Sequence, residues 1–194
     1  MKRFAALALG LGMVWLVGCN PSGSGSPPSV AAPTSTPETT APSSTVNTGA
    51  PHYYQDLPQT NLVRVRLQVG PAETEAELCA TVREVATGLM HRKGIGPEET
   101  MFFAFGEGQP RSFYMKNVPF DIAAAYINTE GVIQEIITLK AMDETPVSSK
   151  NTDIQYVLET APDWFTRHGV NAGAVVRTEQ GPLATRFSGR AHVR

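Results

Sequence analysis

Leu62-Val63-Arg64-Val65-Arg66-Leu67-Gln68-Val69 is the stretch on which the fold turns. Val63, Val65, Leu67 and Val69 alternate with Arg64, Arg66 and Gln68, the period of two that puts one face of a strand in a core and the other in water. Reading onward, residues 76–81 form a second strand, joined to the first through residues 71–74. Val82, Val85, Ala86, Leu89 and Met90 then recur at helical spacing, so an amphipathic helix runs here and ends before Gly94. Gly88 sits inside that pattern at a cost of about 1 kcal/mol against alanine, which marks either close backbone contact or an early helix end.

Residues 101–105 and 111–116 are aromatic-rich runs around Gly106-Glu107-Gly108-Gln109-Pro110, the pattern of a hairpin. A second hairpin has stronger turn chemistry: residues 122–127 and 132–139 flank Asn128-Thr129-Glu130-Gly131. Residues 153–159 read as a further strand. Pro162 opens a short helix through Trp164, Phe165 and His168 that stops at Gly169, and residues 174–178 supply the last strand. The expected class is α+β, mostly β: a small antiparallel or mixed barrel-like domain of about eight strands with two short helices.

Upstream of the domain the composition changes twice. Met1, Lys2 and Arg3 precede an apolar run over residues 4–17, the arrangement of an export signal. The run has roughly 14 residues, against the about 20 that cross a bilayer core as a helix. It stops at Leu16-Val17-Gly18-Cys19, which resembles the bacterial lipobox. Residues 1–18 are thus expected to be a lipoprotein signal peptide, with Cys19 taking a diacylglycerol and becoming an acylated mature N-terminus; two or three chains give stable anchoring. Asn20, rather than aspartate, follows the cysteine, and by resemblance to enterobacterial sorting this favours the outer membrane. The expected location is therefore outside the cytoplasm, anchored to the cell-envelope membrane. Residues 19–56 hold this cysteine and then a Pro/Ser/Thr/Gly/Ala-rich tether, in which Glu38 is the one charged side chain from Asn20 to Gln55. Such a segment buries too little apolar surface to order itself, and about 40 residues of flexible coil span roughly 35 Å.

Residues 57–180 are left as one globular domain, followed by a flexible tail over residues 181–194 that carries Arg186, Arg190 and Arg194. The net charge is −2, with no basic stripe interleaved with aromatics, so a nucleic-acid partner is not indicated. Cys79 is the one cysteine besides Cys19, so no disulfide within the domain and no cysteine-based metal site can be built. Gly-x-Ser-x-Gly, His-Glu-x-x-His, Walker and dinucleotide-binding patterns are missing. His52 falls in the tether and His192 in the tail, while His91 and His168 stand beside helix ends; no metal and no cofactor are expected.

Several segments in order resemble one family. Gly88-Leu89-Met90-His91-Arg92, Met101-Phe102-Phe103-Ala104-Phe105, Phe113-Tyr114-Met115-Lys116-Asn117 with Pro119-Phe120-Asp121-Ile122, then Tyr156-Val157-Leu158-Glu159, His168-Gly169-Val170 and Gly173 are similar to the domain of unknown function 192 family. The resemblance covers residues 63–178. Tyr114 stands where the family usually has tryptophan, and the stretch 117–119 is about two residues shorter. The resemblance implies a small, β-rich, often secreted or anchored protein, and no mechanism.

Lys116, Asn117 and Asp121 crowd one turn, with Arg92 a candidate neighbour, so a cation, an amide and a carboxylate can converge there on a small polar ligand. The structural alternative has Asn117 shaping the turn before Pro119, Asp121 accepting backbone hydrogen bonds and Lys116 pairing with a carboxylate. Met90, Phe113, Tyr114 and Met115 line an apolar pocket in one reading and are plain core in the other. Glu159 and Asp121 are a candidate acid and base that no spacing brings together. The leading functional expectation is a non-catalytic envelope lipoprotein that meets a small ligand, a polysaccharide or an envelope protein, and the membrane through Cys19. The alternative is a small envelope enzyme using Lys116, Asn117 and Asp121.

Overall fold

The computed structural model describes residues 53–187, so the expected signal peptide, Cys19 and nearly all of the tether lie outside the described residues, as do residues 188–194. The alternating stretch becomes strand β1 (Arg64–Val69), with Val65, Leu67 and Val69 buried and Arg64, Arg66 and Gln68 exposed. Val63 departs from expectation. It is 65 % exposed, because the ladder begins one residue later and Val63 projects past the edge of the core.

Gly70 and Pro71 alone turn the chain, with Gly70 at φ +55°, a conformation that costs glycine little and other residues much. The second strand therefore starts earlier than expected, as β2 (Ala72–Cys79), antiparallel to β1. Helix α1 (Val82–Thr87) follows behind a capping box: Glu84 N–H donates to Thr81 Oγ1 at 3.3 Å, and Thr81 N–H donates to Glu84 Oε2 at 2.9 Å. It is shorter than its apolar stripe. Gly88, at φ +47°, ends it, and a Cβ there would lie 3.4 Å from the Phe103 ring, so early termination and close approach occur together.

The aromatic run belongs to β3 (Thr100–Gln109), which continues through Gly106 instead of turning back on residues 111–116. The expected hairpin fails because both edges of β3 are taken: β2 pairs with it in parallel, and β8 (Ile154–Thr160) antiparallel. Residues 112–113 form instead the short β4 (Ser112–Phe113), which pairs with β7 (Val147–Ser148) in a separate two-stranded sheet. The other hairpin forms as the turn chemistry indicates, from β5 (Ile122–Asn128) and β6 (Ile133–Leu139), with Asn128 Oδ1 accepting from Glu130 N–H and Val132 N–H. Helix α2 (Trp164–Arg167) follows β8, Gly169 leaves it at φ +64°, and β9 (Val176–Thr178) returns to pair with β1.

Two segments assigned to tether and tail are ordered. Gln55 N–H donates to Thr87 Oγ1 at 3.0 Å, which docks the stretch before the domain onto the end of α1. Residues 181–187, expected in the flexible tail, form β10 (Gly181–Pro182), paired with β9, and α3 (Leu183–Phe187). Leu183 and Phe187, four apart, supply the buried face of this helix among the arginines of the segment.

The main sheet has eight strands in the order β10-β9-β1-β2-β3-β8-β5-β6 and is mixed, with β2 and β3 as its parallel pair. It curls without closing into a barrel. An isolated bridge between Val132 and Val175, with Val176 N–H donating to Gly131 O at 2.7 Å and Ile133 N–H to Ala174 O at 2.9 Å, ties the β5–β6 turn to the approach to β9. One core gathers Leu67, Phe102, Tyr156, Leu158, Trp164, Leu183 and Phe187; the other lies on the opposite face, around Met101, Phe103, Phe105, Met115, Tyr126 and Val157.

Phe187 stands 5.6 Å from the Phe102 ring and 5.9 Å from Tyr156, ring centre to ring centre. Phe187→Ala is expected to lower stability by about 3 kcal/mol through lost burial and a residual void, seen as an earlier midpoint in urea unfolding. An unchanged midpoint would show that α3 does not pack on this core.

Candidate functional site

The second core is incompletely filled. A cavity of about 350 Å³ opens between α1, the outer face of β3 and the segment around β4. Its walls are largely apolar: Val85, Leu89, Met90, Phe103, Phe105, Phe113, Met115 and Val118, with Tyr114 beside them. Phe113 stands edge-on to Phe103, 5.3 Å away at 84°, and to Phe105, 6.5 Å away at 80°. The backbone explains how two loops meet at this wall. Gly88, His91 and Asn117 all take positive φ, and His91 N–H donates to Asn117 O at 2.8 Å, so the segment after α1 and the turn after Met115 close on each other. Met90 and Met115 are thereby both wall and core, and the two sequence readings of this cluster are compatible.

Gln59 fastens the same region from below. Its buried Nε2 donates to Gly88 O at 2.9 Å and to Glu84 O at 3.1 Å, the latter already accepting from Gly88 N–H, and it lies 3.4 Å from Cys79 Sγ. Burial pushes the Cys79 thiol well up, Glu159 and Glu84 adding to the effect, so the thiol is held protonated.

Glu159 is the polar group on the cavity wall that its surroundings do most to alter. It follows Tyr156, Val157 and Leu158 on β8, shares the Val157 face, is 4 % exposed and has no hydrogen-bond partner among the described residues. Its neighbours across the sheet are Met101 on β3 and Ala124 on β5. Burial pushes its carboxyl up to about 8, and Arg92 offsets this only in part. Arg92 is committed elsewhere: Nη1 pairs with Glu77 at 2.7 Å and Nη2 donates to Gln59 O at 3.1 Å.

The other sequence candidates are placed apart from this carboxyl. Lys116 carries its ammonium 5.4 Å from the Tyr54 ring centre, and the Tyr54 hydroxyl raises the ammonium above its ordinary range. Asn117 holds the turn at φ +58° and gives its carbonyl to His91. Asp121 accepts from Lys140 Nζ at 2.7 Å and Ala141 N–H at 2.8 Å, both of which lower its carboxyl. Lys116, Arg92 and Asp121 thus each have a separate partner. Among the described residues no group of three or more His, Cys, Asp or Glu comes together to hold a metal ion, and no helix is long and apolar enough to cross a membrane.

Residues 65–178 match the family described as Uncharacterized ACR, DUF192. The chain belongs to the DUF192 family. Two solved structures share the fold. A Sinorhizobium meliloti 1021 protein, provisionally described as a transcription regulator, is 26 % identical, with a TM-score of 0.57 over 62 % of this chain and 97 % of its own. A Novosphingobium aromaticivorans DSM 12444 protein of unknown function is 22 % identical, with a TM-score of 0.55 over 66 % of this chain and 98 % of its own. No curated protein matches the chain. The cavity lies within the DUF192 region, and the run Phe113-Tyr114-Met115 that carries much of the resemblance lines it.

A carboxyl raised to about 8 binds its proton more tightly folded than unfolded, where a glutamate titrates near 4.5. Its contribution to stability is therefore complete below pH 4.5 and declines as pH rises to about 8, beyond which it is lost. Glu159→Gln, which cannot ionise, is expected to flatten that decline and to exceed the wild type in stability at pH 9 or above, by an amount on the order of kcal/mol. Equal pH slopes in urea titrations of the two proteins would show that Glu159 is not held in this way.

Proposed function

We propose that this DUF192 domain is a non-catalytic binding module, tethered to the envelope membrane through lipidated Cys19, and that its ligand is a small molecule with a largely apolar body. The observation that carries the reading is the roughly 350 Å³ cavity walled by three phenylalanines and two methionines, with a buried carboxyl on its lining. Cavities of this size, mostly apolar with a few polar groups, are how proteins take up small ligands. The walls offer few hydrogen-bonding side chains, so a polysaccharide is a poorer fit. An enzyme built on Lys116, Asn117 and Asp121 has less support, since each is engaged with a different partner. The anchoring half of the proposal rests on the charged start, the apolar run and Leu16-Val17-Gly18-Cys19, followed by a spacer long enough to hold the domain clear of the headgroups.

Ala86 lines the cavity from α1. Ala86→Trp is expected to fill the space and abolish saturable binding of a neutral apolar dye such as Nile red, while Lys116→Ala and Asp121→Ala retain it. Dye binding indifferent to Ala86→Trp in a folded variant would rule out the cavity as the site. For the anchor, Cys19→Ser should lose incorporation of labelled palmitate in cells; retained incorporation would refute lipidation at Cys19.

A further inference from the structure

The polar groups around the cavity are almost all spent within the protein. Arg111, the cation on its wall, lies 3.8 Å over the Phe105 ring and donates to Ile154 O at 3.2 Å and Glu107 O at 2.6 Å, with the Glu107 carboxylate opposing its charge. The Ser112 hydroxyl is 3.3 Å from that of Ser148. Thr87 donates its hydroxyl to Arg83 O at 2.7 Å, and the Gly88 carbonyl is taken by Gln59. Apart from the hydroxyl of Tyr114, whose side chain reaches solvent, Glu159 is what remains: a buried carboxyl, 4 % exposed, on the cavity lining, without a hydrogen bond among the described residues. A buried polar group in that condition costs free energy that a bound partner recovers.

The rings beside it narrow the chemistry of that partner. Phe113 stands edge to face with both Phe103 and Phe105, so three rings line one wall, and aromatic ring faces attract cations. The seat of Arg111 on Phe105 shows the same wall already accommodating one cation. We propose that the ligand of this cavity is an organic ammonium ion, an amine or quaternary ammonium on an apolar body, whose nitrogen lies between the phenylalanine rings and the Glu159 carboxylate. This assignment rests on the binding-module reading and gives that site its ligand class.

Binding of such an ion involves an exchange. The Glu159 carboxyl gives its proton to solvent and keeps the electron pair as a carboxylate facing the ammonium, so one positive charge enters the cavity as another leaves. The groups that bear on Glu159 are Arg92 after α1, held by Glu77; the Cys79 thiol on β2; and the Tyr126 hydroxyl on β5, which burial, with Glu159 and Glu135, keeps protonated. Arg111 stands on the wall from the β3–β4 link, while β3 and β5 place the neutral Met101 and Ala124 directly beside Glu159.

The test uses residues 19–194 with Cys19→Ser and two probes of one shape: benzyltrimethylammonium, whose charge does not change with pH, and neopentylbenzene, its neutral counterpart. Calorimetry or methyl NMR is expected to show the cation binding more tightly than the neutral probe at pH 8.5 or above. Its apparent Kd should fall about tenfold per unit from about pH 6 and level off above the Glu159 midpoint near 8. Glu159→Gln should remove the slope and the preference for charge while leaving neopentylbenzene bound. If both probes bind equally well with no pH slope, the binding module stands and the ammonium assignment falls. If affinity declines as pH rises, Glu159 is a proton donor to neutral ligands, which also overturns the assignment. Failure of both probes overturns the assignment and the cavity reading together.

Discussion

Three adjacent strands, β3, β8 and β5, must be covered on both faces, and the rest of the architecture answers to that requirement. Phe102 and Ala104 point into one core while Met101, Phe103 and Phe105 point into the other, and Tyr156 and Leu158 are divided from Val157 in the same way. Burying a large apolar side chain contributes about 1.5–3 kcal/mol, so neither face can be left to water. The curl of the sheet, with α2 and α3, covers one side. Helix α1, the loop after it and the β4 segment cover the other, and the cavity is the part of that second side left unfilled by the protein's own side chains.

Much of this was legible, and the failures share a physical cause. The alternation in β1, the apolar spacing of α1 and the turn from Asn128 to Gly131 in the β5–β6 hairpin are local signals, decided within a few residues. The aromatic run was misread as half of a hairpin because a strand buried on both faces has no alternation to reveal its pairing. Its partners are a parallel neighbour reached across α1 and a strand about 50 residues onward, information that no local spacing holds. The tail was misjudged for a related reason: Leu183 and Phe187 make too short a pattern to outweigh three arginines until the core that receives them is known.

The site divides along the same line. Phe113, Met115 and Met90 were recognised as a cluster because they lie in compact motifs, yet whether they bound a hollow or a solid core depends on how two loops with left-handed residues meet. Lys116, Asn117 and Asp121 drew attention by proximity in sequence, but a turn directs neighbouring side chains to different places, and these found Tyr54, His91 and Lys140. Glu159 had a signal that could have been weighed more heavily. It is a carboxylate in the same phase as Val157 within an otherwise apolar strand, and such an interruption is seldom tolerated without a role.

The position of α3 at the end of the described chain bears on when this protein can fold. The first core takes Leu67 from the start of the domain and Leu183 and Phe187 from the last described helix, so its hydrophobic interior stays open until residue 187 has been synthesised. Contacts of such long sequence separation form late and slowly. The domain is thus closed by its last helix: until residue 187 is in place, Phe102 and Tyr156 lack the ring that packs on them, however well the earlier strands have paired.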